Sequence, residues 1–455
     1  MSVLLKDLND YIAPSQACIK PVEVNKTATE SSNVIKIDDS GGYYEVFQDG
    51  VETKLETARI TLDDCLACSV LITTQTHEEL YNVLKSNKQA VREGRVDNVK
   101  TVVVSIAPQS RASIAAMYKL SPLQVARRLT HFFRSLGVDY VFDTSFSRDF
   151  SLLESAREFV QRYRGFQERQ RQKLSLNDDK SKGLDDPSLP MLASSCPGWI
   201  CYAEKTHGSV LPYISQTKSP QQIMGSIVKD YFAKKIGVTP NNIYHVGIMM
   251  CYDKKLEASR SDFFDEKYQT RDVDCVITTV EVVKMFGEQN YDIKESPELP
   301  LHSLTKTTQE GQLLGSAGSA SGGFLEFILE YSARELFGMT GIDVDGEKGV
   351  VVKTGRNKDF KETTLEVEGK PLLKFASAYG FRSIQNIIRK MKGGNIQYHY
   401  VEVMACPSGC INGGGQLRPD GTVPIKDWIA KVNDVYRSVD SSSPEQNETV
   451  QNLYR

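Results

Sequence analysis

Long apolar runs are missing from this 455-residue sequence. The most apolar stretches carry Asp, Lys or Gly within about ten residues, too short for a membrane span. Histidine is scarce: the six present are scattered without pairing, which leaves them ordinary polar roles. Neither charge sign dominates, and a formal net charge of -3 excludes an overall field that would gather nucleic acid or anionic lipid. Local basic patches remain compatible with that balance. No internal repeat occurs. Met1 to Pro14 alternates charged and apolar residues without an h-region, so it does not read as a secretory signal. The cytosol is the expected compartment.

With 40% hydrophobic residues the chain can bury a large core, and its length suggests two or three domains. The first hundred or so residues are polar and turn-rich, with Asp38-Asp39-Ser40-Gly41-Gly42 and Gln48-Asp49-Gly50. A small module braced by something other than a large core is expected there. From Thr101 the texture changes. Thr101–Ala107 reads as a buried strand, and Ser121-Pro122 opens an amphipathic helix to about Leu136, with Ser as cap. Val138–Phe142 is a second strand, and a helix follows from about Asp149 to Arg164. Gln167 to Pro187 reads as a polar exposed loop or partly disordered insert. Further strands are expected at Pro190–Ser194, Ile243–Met250, Asp274–Thr279 and Tyr398–Met404, with helical patterns between them. This alternation predicts an α/β architecture with largely parallel sheets. Gly315–Gly323 is a flexible loop before a helix from about Phe324 to Phe337. After Val439 the chain is Ser-, Glu- and Gln-rich and is expected to fray.

Nine cysteines in a reducing compartment suit ligands, catalysts or core residues better than disulfides. Four of them sit where strands end. Cys196 follows Met191–Ser195, Cys251 follows Ile243–Met250, and Cys406 follows the strand ending at Met404. Cys410 lies four residues after Cys406, one helical turn on, if Pro407 begins a helix. In α/β sheets ligands collect beyond the carboxyl ends of strands. The positive end of a helix would lower each thiol pKa, and the thiolate is the form that binds metal. Gly409 and Gly413-Gly414-Gly415 let backbone approach a bulky inorganic group. Taken singly, Cys196 and Cys251 read as small core residues. Taken together, the four thiols point to a metal–sulfur cluster. Structural zinc, the inorganic rival, prefers tight Cys-x₂₋₄-Cys knuckles in small modules. Cys201 and Cys275 lack such a setting and read as core or surface thiols.

Three segments resemble the cysteine motifs of the iron-only hydrogenase superfamily. They are Ser194-Ser195-Cys196-Pro197-Gly198-Trp199, Met249-Met250-Cys251-Tyr252-Asp253-Lys254-Lys255-Leu256-Glu257, and Glu402 to Gln416 with its Cys406-Pro-Ser-Gly-Cys410. The Gly-Ser-Ala-Ser-Gly-Gly loop before Phe324 is similar as well. The likeness spans roughly 100 to 435, and within the superfamily the chain most resembles the Nar (narf-like) family of cytosolic iron–sulfur protein assembly factors. True hydrogenases have a proton-relay cysteine before the first cluster ligand. Here that position is Ser195, whose hydroxyl is a poor relay at neutral pH. The proline usual before the second-motif cysteine is Met250.

The resemblance implies a two-lobed α/β hydrogenase-like domain (100–438, insert about 167–187), a ferredoxin-like N-terminal module (1–99) and a polar tail (439–455). It implies a 4Fe-4S cluster on Cys196, Cys251, Cys406 and Cys410, buried between the lobes and without a di-iron unit. Lys254 then either offsets the cluster's charge or is a solvated helix lysine, and Glu257 and Glu402 are expected to make interlobe hydrogen bonds. A second 4Fe-4S site is implied at Cys18, Cys65 and Cys68, but its fourth ligand position is Leu71, which cannot bind iron. Three thiolates could hold a three-iron cluster, a labile four-iron cluster with an outside ligand, or nothing; a shortened splice form is another reading. Relatives continue past the point matching Arg455, with a tail thought to contact assembly partners. The implied function is non-catalytic maturation of cytosolic and nuclear iron–sulfur proteins. The partners implied are a cluster scaffold and a targeting complex with a WD40-type subunit, in the cytoplasm and also the nucleus, without nucleic acid or membrane. The rivals are a hydrogenase, an electron-transfer protein, and a narf-like partner of a prenylated nuclear protein.

Overall fold

The computed structural model describes residues 77–95, 97, 99–176, 189–342, 350–354, 357–419 and 421–454, and three short strands before them. The chain divides into two compact units, Met1–Thr74 and Gln75–Arg455. In the first, β1 (Val34–Ile37), β2 (Tyr43–Val46) and β3 (Glu52–Lys54) form an antiparallel sheet in that order. Cys18, Cys65 and Cys68 lie outside the described residues.

The second unit begins earlier than the expected residue 100. The helix His77–Arg92 is amphipathic, and its Leu80 and Leu84 enter the same core as Val102, Leu129 and Phe133. Two sheets organise this unit. One is a wholly parallel sheet in the order β10-β7-β4-β5, from Cys275–Thr278, Ile243–Met249, Thr101–Ile106 and Tyr140–Asp143. Its strands are buried almost throughout, as helices on both faces require. The other has the order β11-β12-β13-β14-β6, from Val350–Thr354, Phe360–Val367, Lys370–Tyr379, Tyr400–Met404 and Met191–Ala193. Here β13, β14 and β6 run parallel, whereas β11, β12 and β13 form an antiparallel meander. The expectation of largely parallel sheets holds, and the meander over 350–379 is an antiparallel addition to it. That meander carries Lys, Glu and Thr on a solvated face, a pattern only an antiparallel edge tolerates. β8 (Phe264–Asp265) and β9 (Thr270–Arg271) make a small separate hairpin.

The helix opened by Ser121 runs Pro122–Leu136, with a capping box to Gln124 and a left-handed stop at Gly137. Other elements depart from their expected bounds. The helix expected over Asp149–Arg164 extends over Thr144–Leu176 and takes in the start of the polar insert. Beyond Tyr163 it is rich in Gln, Arg and Glu, strong helix formers with no apolar stripe to betray them. The C-terminal segment does not fray. Helix Glu448–Leu453 buries Val450 completely, Asn447 donates to Asp149 (2.9 Å), and Lys306 donates to the carbonyl of Ser442 (2.8 Å). No described helix is long and apolar enough to cross a membrane.

Candidate metal–sulfur site

Three strand ends aim at one cavity. β7 ends two residues before Cys251, β14 two residues before Cys406, and β6 three residues before Cys196. The cavity wall contains Cys196, Cys251, Cys406 and Cys410 together. Because β6 and β14 are parallel neighbours in one sheet and β7 belongs to the other, the thiols converge from both halves of the unit. All four are free, and Cys196 and Cys251 are buried. Among the described residues no three His, Cys, Asp or Glu side chains are placed to hold one metal ion, so the thiols surround a space instead of meeting at a point.

The first motif is held by hydrogen bonds across the two strands. Ser194 donates to the carbonyl of Val403 (2.5 Å) and accepts from the amide of Cys196 (3.0 Å). The Ala405 amide donates to Cys196 Sγ at 3.4 Å. Cys196 then caps the helix Pro197–Thr206. The third motif does not form the expected helical turn. Ser408 and Gly409 both take left-handed φ values, 62° and 78°, before a single 3-10 turn at Cys410–Asn412. At Gly409 a Cβ would lie 2.2 Å from Ser321 Oγ, whose hydroxyl also accepts from the Cys410 amide at 3.1 Å. Cys410 is thereby turned back toward Cys406 by a reversal, not by helical spacing.

The electrostatics also differ from expectation. All four thiols are pushed up, not down. Burial is the main cause for each, and it lifts Cys196 to about 12. Asp253 and the neighbouring thiols add repulsion at Cys196, Cys251 and Cys406, which outweighs any helix dipole. Asp253 is itself raised by burial. Opposing cations are close: Lys254 favours the thiolates of Cys251 and Cys410, Arg418 that of Cys406, and Arg148 that of Cys410. Thiols this buried are costly to ionise singly, and a polynuclear cation shared by all four would reverse that balance. The donor set fits an iron–sulfur cluster: four sulfurs around one space, amide donors on Cys196 and nearby cations.

Lys254 is buried, not solvated; it donates to Glu257 (2.5 Å) and Ser219 (3.2 Å) and lines the cavity. Glu257 and Glu402 do not bridge the halves. Glu257 pairs with Lys254 and Ser219, whereas Glu402 accepts from Tyr379 (2.7 Å) on adjacent β13 and from the Leu325 amide (2.9 Å). Burial and the nearby Glu326 push the Glu402 carboxyl up to about 7. Ser195 also lines the cavity. Cys275 is buried in β10 and Cys201 is half-buried in a helix, both away from the cavity wall. The structure adds Arg148, Gln109 and Asp253 to the site. Asp253 lies within the second motif, but nothing in the local pattern of Arg148 or Gln109 announces a buried polar residue beside the thiols.

Known proteins resemble this arrangement. Residues 100–414 match the family described as "Iron only hydrogenase large subunit, C-terminal domain". A solved [FeFe]-hydrogenase, studied for oxygen inactivation of its H cluster, superposes with a TM-score of 0.67 at 26% identity, covering 83% of this chain and 94% of the other. An apo variant of the [FeFe]-hydrogenase HydA1 from Chlamydomonas reinhardtii gives 0.63 at 28% identity over 78% and 89%. Fold and cysteine placement thus define an iron-only hydrogenase-like protein. Nearer in sequence are the "Cytosolic Fe-S cluster assembly factor narfl" of Xenopus tropicalis, 51% identical over 99% of this chain and 91% of that protein, and the "Cytosolic iron-sulfur assembly component 3" of Bos taurus, 50% identical with the same coverage. The chain belongs to this narfl family of cytosolic Fe-S cluster assembly factors.

Proposed function

We propose that this protein is a non-catalytic component of cytosolic iron–sulfur protein assembly, and that Cys196, Cys251, Cys406 and Cys410 hold a 4Fe-4S cluster. Four thiols from distant segments lining one cavity carry this reading. When bound, the cluster would supply one-electron redox chemistry or a structural anchor. The chain's own part is to surround it with sulfur, to donate an amide to Cys196, and to balance its charge with Lys254 and Arg148. The relatives' names support a role in cytosolic iron–sulfur cluster assembly; nuclear iron–sulfur proteins are our second proposed class of recipient. A cluster-bearing scaffold and a targeting complex with a WD40-type subunit are the partners such a role requires, and the cytoplasm, with the nucleus, is where it would act.

Cys18, Cys65 and Cys68 are read as the ligands of a second cluster site that is weak or vacant, because Leu71 stands at the fourth ligand position. The N-terminal module, with its boundary moved before Gln75, is read as ferredoxin-like and 100–438 as the hydrogenase-like domain. Ser195 at the relay position argues against dihydrogen chemistry, since its proton is held too tightly for transfer at neutral pH. Iron and sulfide analysis with electron paramagnetic resonance of anaerobically purified protein tests the assignment. About four irons per chain are expected, against about eight if both sites fill. Cys406→Ala should remove the dominant signal; an unchanged signal there, with complete loss in Cys65→Ala, overturns the assignment.

A further inference from the structure

A second cavity, of about 220 Å3, opens where the start of helix Pro108–Tyr118 meets the Gly315–Gly318 loop and the end of helix Ile425–Arg437. Its wall includes Arg111, Arg148, Ser316 and Arg437. Arg111 and Arg148 are only 2% and 3% exposed, a severe position for two guanidinium groups. Arg111 is paired with Asp143, but its Nε has no partner. Arg148 donates to the Tyr436 hydroxyl (2.5 Å) and weakly to Gln109 Oε1 (3.4 Å), neither of them charged, and its Nε has no partner either. The hydroxyl of Ser316, 9% exposed, is likewise unpartnered.

The local charges do not cancel. Asp143 balances Arg111, and Asp149 is committed to Lys306 at 2.9 Å. Arg148, which also borders the thiol cavity, and the exposed Arg437, which also borders the cleft of Glu326 and Glu402, make no ion pair among the described residues and stand beside unused N–H and O–H donors. Glu326 comes near the loop, 2.7 Å from where a Cβ on Gly318 would stand, but its carboxylate lines the neighbouring cleft with Glu402. Guanidinium groups bind tetrahedral oxyanions through paired, charge-assisted hydrogen bonds, and the start of the Pro108 helix adds its positive end.

We propose that this cavity binds a doubly charged phosphate-type oxyanion: inorganic phosphate, or the phosphoryl group of a small phosphomonoester whose remainder leaves past Arg437. Arg148 and Arg437 balance its two charges, Arg111 Nε and Ser316 supply further donors, and the four-thiol cavity shares Arg148 as a common wall.

The test is isothermal titration calorimetry of the full, anaerobically purified chain in phosphate-free buffer at fixed ionic strength, with inorganic phosphate, glycerol 3-phosphate and acetate as separate titrants. One saturable site is expected for phosphate or the ester, and the tighter of the two names the source. Arg437→Ala should weaken binding about fivefold and Ser316→Ala about threefold, with Arg437→Lys restoring most of it. Arg148→Gln should abolish it. Because that variant removes a buried group, the exposed Arg437 is the deciding position. No heat with either phosphate, equal binding of acetate, or affinities unchanged in both Arg437→Ala and Ser316→Ala would overturn the proposal.

Discussion

The amide of Ala405 donates to the sulfur of Cys196 across 3.4 Å, joining two motifs that lie 209 residues apart in sequence. This bond crosses from the end of β14 to the end of β6, parallel neighbours whose register pairs Glu402 with Ala193. The thiols are therefore placed by strand pairing, and the loops only finish their aim.

Backbone proximity in the third motif should show up in glycine substitutions. A Cβ at Gly413 would sit 2.3 Å from the Met250 carbonyl oxygen, which the Gly415 amide already holds at 3.0 Å. Gly413→Ala is expected to cost about 1–3 kcal/mol. Gly414→Ala, whose nearest neighbour is a Tyr252 ring atom at 3.8 Å, should be neutral within about 0.5 kcal/mol. Denaturant titrations of both variants compare them directly, and equal stabilities would refute the packing argument.

A thiol in place of Ser195, which lines the cavity, should not create a hydrogenase. Ser195→Cys leaves Gln109, Arg148 and Lys254 lining the same space. Hydrogen evolution with reduced viologen is expected to stay at the buffer background, and turnover above it would contradict the non-catalytic reading.

Glu402 gives a pH dependence of defined sign. Its folded pKa, about 7, lies above the ordinary carboxylate value of 4.5, because of burial and then Glu326. Its stabilising contribution is therefore complete below about pH 4.5 and is lost as pH rises through about 7. Glu402→Gln keeps one acceptor oxygen, for the Leu325 amide, and its NH2 can donate to the Tyr379 hydroxyl oxygen, but it cannot ionise. The variant should lose less stability than the parent between pH 5 and 8, by roughly 1–3 kcal/mol. Parallel stability–pH curves would argue against a perturbed Glu402.

His245 acts in the opposite direction. Burial pushes it down to about 4, and its ring bridges the Ser105 hydroxyl at 2.8 Å and the Asp272 carbonyl at 2.9 Å. Burial favours the neutral ring, in which Nδ1–H donates to the carbonyl and Nε2 accepts from Ser105. Its contribution is present above about pH 6.5 and is lost as pH falls through about 4. Nitrogen-15 spectra at pH 6 should show the neutral Nδ1–H tautomer; a charged ring at that pH would contradict the arrangement.

The C-terminal helix should contribute measurably to stability. Val450 is fully buried, so Val450→Ala should cost about 2 kcal/mol in a denaturant titration, whereas the exposed Tyr454→Ala should cost less than half of that. A Val450→Ala effect within error of zero would mean that the segment is not docked.

Much of the second unit is legible locally. The strands at 101–106, 243–249, 275–278 and 400–404 and the helix after Ser121 follow from short apolar runs and a capping pair. The amphipathic helix at 77–92 belongs to the second unit and not to the N-terminal module, and nothing in its own pattern names the core it joins. The tail hides its docking for a related reason. Its polarity is real, but a buried valine, an asparagine on Asp149, Lys306 on the Ser442 carbonyl and Glu445 on Arg334 dock it together.

By itself the sequence determined which atoms are on offer: four thiols at strand ends, glycines where backbone must come close, and a serine rather than a thiol at 195. Periodicity and turn chemistry act over a few residues and can be read from them. Tertiary structure alone decided that β6, β14 and β7 end at one cavity, that Cys410 turns back through a left-handed reversal, and that burial pushes the thiols up. It also brought Arg111, Arg148 and Arg437 together from separate helices. Charge and desolvation depend on neighbours distant in sequence, and no local pattern records them.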